Sequence, residues 1–228
     1  MKILPSIVTT NGNYFRQLRE AEELGVKGLC LFLTGLNEEQ RKKFYPKLGK
    51  SSLEKIPFVH LRSDMNLDEL NFFSERFKTY LFNIHPLSLF PLENDLTYYK
   101  DNIYIENSDA VYDDEEIRKF AGICIDFTHL EADRLLENDT YNKNMKAIKK
   151  YSCGCGHISA IKKVLTLDPK TKKYQYDFHY LSDFSEIDYL EKFVRFFPPV
   201  IAMELENTLE NQLKIIDYLS KKSWFSKP

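Results

Sequence analysis

The sequence predicts an α/β protein whose strands close into a (βα)8 barrel, the TIM-barrel arrangement. Three observations predict it. Short β-branched runs alternate with amphipathic helical stretches from one end of the chain to the other. Side-chain parity along the runs separates large apolar residues from a polar set. That polar set rises to His, Glu or Asp where the runs end.

The first strand is read over residues 2–8, and the helical stretch 13–24 after it is stopped by Gly25, in the position where a left-handed backbone favours glycine. The second strand is 28–34, followed by the charged helical stretch 37–48. The third is 57–62, with a helix over 67–78 that Asn66 opens as N-cap. The fourth is 80–85, with a weaker helical segment around 93–100. The fifth is 102–107, with a helix over 113–120; the acidic run Asp113-Asp114-Glu115-Glu116 places favourable charge at its N-terminus. The sixth is 122–127 and its helix 140–151. The seventh is 152–159, separated by a long loop from its helix at 185–196. The eighth is 199–206, and a helix over 209–221 closes the chain.

Strand–helix–strand crossovers are right-handed and leave neighbouring strands parallel. Eight such units close most naturally into a barrel, with an open doubly wound sheet as the competing arrangement. Such barrels usually take about 250 residues. A single domain over residues 1–228 therefore needs tight loops, with room for an elaborate one only at 162–184. Val59 and Leu61, Phe82 and Ile84, Ile103 and Ile105, Ile123 and Ile125, and Ile201, Met203 and Leu205 share one parity and suit the face beneath the helices. The other face carries His60, Asn83, His85, Tyr104, Glu106, Cys124, Asp126, Cys155, His157, Glu204 and Glu206.

Composition narrows the function. A formal net charge of −2 gives no general electrostatic footprint for nucleic acid. A mean hydropathy of −0.43 and the lack of any long apolar run argue against a membrane span. The N-terminus lacks the pattern of a signal peptide, and four cysteines do not make a disulfide framework, so a cytoplasmic protein is expected.

All five histidines fall at or just past predicted strand ends: His60, His85, His129, His157 and His179. Glu106, Asp126, Glu204 or Glu206, and Asp177 join them. Charges gathered on one rim are costly unpaired, and a cation removes the difficulty. Imidazole with carboxylate suits divalent zinc, manganese or iron. Cys153-Gly154-Cys155-Gly156-His157 also reads as a ligand string. At a rise of about 3.3 Å per residue, however, Cys155 lies about 6–7 Å below His157, beside Cys124, where a small residue fills a barrel interior. Arg62 shares parity with His60, and is expected to meet a phosphate oxygen or to pair with Asp64. Lys162 and Lys163 are weaker candidates of the same kind. Glu131 is expected on the surface, with a place behind the metal ligands as its alternative, and Trp224 and Phe225 are expected to pack across a barrel end or mark an oligomer contact.

Ile103-Tyr104-Ile105-Glu106-Asn107, Gly122-Ile123-Cys124-Ile125-Asp126-Phe127-Thr128-His129 and Asp177-Phe178-His179 resemble the xylose isomerase-like barrel superfamily. Asn83-Ile84-His85-Pro86 adds to the likeness, which spans residues 57–207. Within it the pattern is most similar to the endonuclease IV family, abasic-site DNA nucleases with three zinc ions. The resemblance implies that His60 and His85 hold one metal, with Glu106 bridging to a second completed by Asp126, His157 and a strand-eight glutamate, Glu206 being favoured over Glu204. It implies a third held by His129, Asp177 and His179. The implied activity is metal-dependent phosphoester hydrolysis, with zinc as the metal and manganese or magnesium as alternatives. Glu106, Glu204, Glu206 and Arg62 are the catalytic candidates.

Sugar and sugar-phosphate isomerases and epimerases of the same superfamily use one metal held by Glu, Asp, His and Glu. Glu106, Asp126, His157 and Glu204 or Glu206 satisfy that set equally. A barrel with a vestigial site acting as a binding protein is the third reading. The residues after His60, Leu61-Arg62-Ser63-Asp64, hold no aromatic wedge. With the charge balance, this favours a small phosphorylated or sugar-like substrate over DNA with an abasic site.

Overall fold

The computed structural model describes residues 1–108, 110–168 and 172–225. In chain order the strands are β1 (Lys2–Leu4), β2 (Ser6–Val8), β3 (Cys30–Phe32), β4 (Phe58–His60), β5 (Leu81–Ile84), β6 (Ile103–Glu106), β7 (Gly122–Asp126), β8 (Cys153–Ile158), β9 (Ala160–Leu167), β10 (Tyr174–Phe178) and β11 (Val200–Met203). The helices are α1 (Tyr14–Glu23), α2 (Glu38–Lys50), α3 (Leu67–Phe77), α4 (Asp114–Lys119), α5 (Phe127–Leu135), α6 (Asp139–Lys150) and α7 (Leu209–Ser220). Two 3-10 segments, Thr97–Asn102 and Phe184–Phe196, stand where the sequence reads a weak helix and a full one.

Nine strands form one parallel, nearly closed barrel-like sheet flanked by helices, in the order β1-β11-β8-β7-β6-β5-β4-β3-β2. The two ends of that order are the halves of the run read as the first strand. Pro5 parts them, because a residue without an N–H cannot continue a ladder. Lys2 pairs with Val200 on one side, and Ser6 with Cys30 on the other. The seam is bridged by side chains: the Ser6 hydroxyl donates to the Met203 carbonyl. The buried Gln212 amide of α7 accepts from the Ser6 N–H at 2.7 Å and donates to the Ser6 and Leu205 carbonyls at 3.0 Å each.

Local signals mark the helix ends. Asn37 and Asn66 open α2 and α3 with reciprocal capping boxes to Gln40 and Glu69. Gly25 takes a φ of +66° after α1. The apolar parity set, from Val59 to Leu205, is buried between sheet and helices. A separate inner cluster, including Val8, Cys30, Phe32, Phe58, Cys124, Cys155 and Val200, fills the interior beneath the rim. Cys124 and Cys155 are register partners there. Gly154 makes room for Tyr104, since a Cβ at 154 would stand 2.2 Å from its ring.

Three expectations change. The helix α5 starts directly after Asp126, so the sixth strand stops one residue early and a helix fills a stretch read as loop. The long loop after β8 is built around the β9–β10 antiparallel hairpin. Glu131 is buried rather than on the surface: Arg134 meets its carboxylate at 2.7 and 2.8 Å and Lys192 reaches it from the Phe184–Phe196 segment. Trp224 packs on Phe197, ring centroids 6.4 Å apart. No helix is long and apolar enough to cross a membrane, among the described residues.

Candidate metal centre

The sheet brings the strand ends together at one rim. Glu106, the last residue of β6, gathers four neighbours. His60 Nε2 and His157 Nε2 each lie 2.9 Å from its Oε2, and His85 Nε2 lies 3.3 Å from Oε1. The Asn83 amide donates to Oε2 at 2.5 Å. His60, His157 and Glu106 are all buried, and the Phe32 ring floors the cluster at 5.5 Å from each of the two imidazoles.

A second group shares His157. Its Nδ1 stands 3.0 Å from Glu204 Oε2 and 3.3 Å from Asp126 Oδ2, between two carboxylates. Asp126 divides its oxygens between two tasks. Oδ1 caps α5, accepting from the Thr128 and His129 N–H groups at 2.7 and 2.9 Å, which leaves Oδ2 facing His157 and, at 3.6 Å, His129 Nε2. Asn107 fixes the Asp126 backbone, accepting its N–H at 2.8 Å and donating to its carbonyl at 3.0 Å. Tyr112 in turn holds Asn107 at 3.1 Å.

The donor set suits a divalent cation. The Leu61 carbonyl, 2.9 Å from His60 Nδ1, can only accept, so Nδ1 carries the proton. In the neutral ring Nε2 then turns a lone pair toward the Glu106 carboxylate. A histidine whose far nitrogen is anchored on a backbone carbonyl is the usual arrangement of a metal ligand. Two buried trios, His60–Glu106–His157 and Asp126–His157–Glu204, keep their ligand atoms within 4.8 Å of one another.

The electrostatics follow from the same contacts. Burial alone would raise Glu106, but the His60, His85 and His157 imidazoles hold its carboxyl well below the usual range. Burial likewise opposes, and His129 and His157 outweigh it, in lowering Asp126. His179 and His157 lower Glu204 against its burial. Desolvation would lower His157, yet Asp126, Glu204 and Glu106 raise it well above the ordinary imidazole value. His85 is lowered, chiefly by burial.

The remaining expected ligands border a cavity of about 720 Å³ between α5 and the β9–β10 hairpin. His129, Asp177, His179 and Glu206 line it. His129 Nδ1 lies 3.5 Å from Asp177 Oδ2, and the His179 carbonyl accepts from the Glu206 N–H at 2.6 Å. This set is looser than the two buried trios. Glu206, the favoured strand-eight ligand, faces Thr10, whose hydroxyl donates to its Oε1 at 3.0 Å. Glu204 is the glutamate beside His157, because β11 ends at Met203 and the chain turns out of the ladder beyond it.

Arg62 pairs with Asp64, with Nε 3.2 Å from Asp64 Oδ1, and its Nη1 donates to the Thr34 carbonyl at 3.2 Å. Lys162 is occupied by Glu186, at 2.8 and 2.9 Å from its two oxygens, and Lys163 is exposed. The thiols are free, and burial pushes Cys30 and Cys124 upward, which suits filler rather than ligands. Sequence reasoning set Asn83 on the right face without a role. It missed Asn107 and Tyr112, whose contacts with Asp126 and its strand depend on packing. No family model matches the chain, and no curated protein matches it.

Proposed function

We propose that this chain is a divalent-metal-dependent enzyme on a (βα)8 barrel of the xylose isomerase-like kind, hydrolysing a phosphoester. Counting β1 and β2 as one strand broken at Pro5 supports the eightfold barrel. One observation carries the metal centre: two buried His–carboxylate trios meet at His157, whose Nδ1 has carboxylates at 3.0 and 3.3 Å.

His60, His85 and Glu106 would hold one ion, and Glu106, Asp126, His157 and Glu204 a neighbouring one, zinc being the fitting metal. His129, Asp177 and His179 offer a third position toward the cavity. Bound metal supplies Lewis acidity, polarising a phosphoryl oxygen and lowering the pKa of water. The chain's own groups do the rest. Glu106, with Oε2 beside His60 and His157 and Oε1 toward His85, would contribute to both positions. Asp126 orients itself through the α5 cap and keeps Oδ2 for the centre. Phe32 and the inner cluster close the floor against water. Arg62 stands at the rim two residues beyond His60, where a substrate phosphoryl group would compete with Asp64 for its guanidinium.

A second reading, isomerisation of a sugar or sugar phosphate with one metal, is favoured by one arrangement. Glu106, Asp126, His157 and Glu204 come from the ends of the four adjacent strands β6, β7, β8 and β11, or just past them. Zinc-loaded protein assayed with bis(p-nitrophenyl) phosphate and with an aldose phosphate separates the two. Hydrolysis lost on chelation and restored by zinc is the expected result. Aldose–ketose conversion without hydrolysis overturns the hydrolase in favour of the isomerase, and inactivity of the metal-loaded protein on both leaves only the binding protein.

A further inference from the structure

The loop that follows β5 carries an unusual feature beside the metal centre. Leu89 and Phe90 stand 44% and 49% exposed on it, although the loop is held from several directions. The Leu87 and Ser88 N–H groups donate to the two carboxylate oxygens of Glu116, on α4, at 3.0 and 3.1 Å. The Leu89 and Phe90 N–H groups both donate to the Pro86 carbonyl at 3.0 Å, winding a single tight turn. Farther along, the Glu93 N–H reaches the Ser63 carbonyl at 2.9 Å and the Asn94 amide reaches the Asp64 carbonyl at 3.1 Å. These last two bonds join this loop to the one carrying Arg62.

Leu89 and Phe90 thus present apolar surface to solvent on a backbone that is held in place. The location says what for. The Phe90 ring centroid is 4.8 Å from that of His85, tilted by 41°, and His85 is 4.7 Å from His60. The half-exposed Phe90 ring therefore stands beside His85, at the edge of the histidines around Glu106. Arg62, its side chain 42% exposed, is on the joined loop.

We propose that Phe90, flanked by Leu89, is a stacking platform for the flat ring of a phosphorylated substrate, the class that fits being a nucleoside monophosphate or its ester. This rests on the reading of the rim as a phosphoester site. An aromatic face takes any base by stacking, and a platform already held in place loses little freedom on binding. A single half-exposed ring with one guanidinium on the joined loop matches one base and one phosphoryl group. It does not match a duplex, for which the formal charge of −2 gives no support.

Calorimetric titration of the zinc-loaded full chain with AMP, ribose 5-phosphate and inorganic phosphate tests the proposal. AMP should bind at least about fivefold more tightly than ribose 5-phosphate. Phe90→Ala should erase that difference and Phe90→Trp should keep it, both with unchanged zinc content and unchanged affinity for inorganic phosphate. Equal binding of AMP and ribose 5-phosphate, or an AMP preference that survives Phe90→Ala, overturns the platform and leaves the metal reading standing. A chain that takes up no zinc and binds no inorganic phosphate overturns the metal reading, and the platform with it.

Discussion

His157 is the residue on which the site turns, because each of its ring nitrogens faces carboxylate oxygen while the ring is buried. One proton per nitrogen satisfies that geometry without metal, and a cation satisfies it by replacing protons, so metal and protons compete for this ring. The two strand-eight glutamates separate cleanly at this scale. Glu204→Gln should weaken zinc binding by at least about tenfold, whereas Glu206→Gln should leave the buried pair of sites within about twofold of the parent. Competition against a chromophoric chelator measures both, and the reverse order would return the ligand role to Glu206. Strand parity made the rim legible for His60, His85 and His157, whereas His129 stands on α5 and His179 past the β9–β10 hairpin, where barrel-strand parity does not apply. Parity could not choose between Glu204 and Glu206, two residues apart on the same face, because the choice depends on where β11 leaves the ladder. Phe90 carries no sequence signal, since its exposure comes from a turn that Glu116 fixes from another element.

Elements were read well where period and caps agreed. Asn37, Asn66 and Asp113 cap the helices that follow them, and the strand runs stand where alternation placed them. The helix α5 escapes the sequence pattern because Asp126 serves two tasks at once, one oxygen facing the centre while the other caps a helix that starts one residue later. The hairpin escaped because β9 is exposed along much of its length, so it lacks the buried alternation that marks a barrel strand. Two substitutions test the element-scale account by urea unfolding. Asn66→Ala removes the box that opens α3 and should lower stability by about 1 kcal/mol. Gly154→Ala drives a Cβ into the Tyr104 ring and should lower stability by about 1–3 kcal/mol. Shortening Tyr104 to Leu in the Gly154→Ala background should recover part of that loss, and no recovery would mean that the glycine serves the backbone instead.

For the whole molecule, the sheet separates an outer core beneath the helices from an inner plug, and the polar rim lies above the plug. Buried phenols report on the integrity of that arrangement. Burial raises Tyr45, Tyr112 and Tyr189, with Glu69 adding to the rise at Tyr45. A folded-state value above the unfolded one near 10 gives stability that is complete below pH about 10 and is lost as pH rises through the folded value. These three phenols should stay un-ionised as long as the chain stays folded. Their ionisation should coincide with alkaline unfolding, followed by absorbance and circular dichroism together. Reversible titration of all of them near pH 10 with the fold intact would contradict the packing. The metal centre itself is tested most directly by elemental analysis of the full chain after equilibration with zinc and removal of excess metal. The account predicts at least two zinc ions per chain, falling to fewer than one in Glu106→Gln. A folded chain holding no zinc, or a Glu106→Gln variant holding as much as the parent, would contradict it.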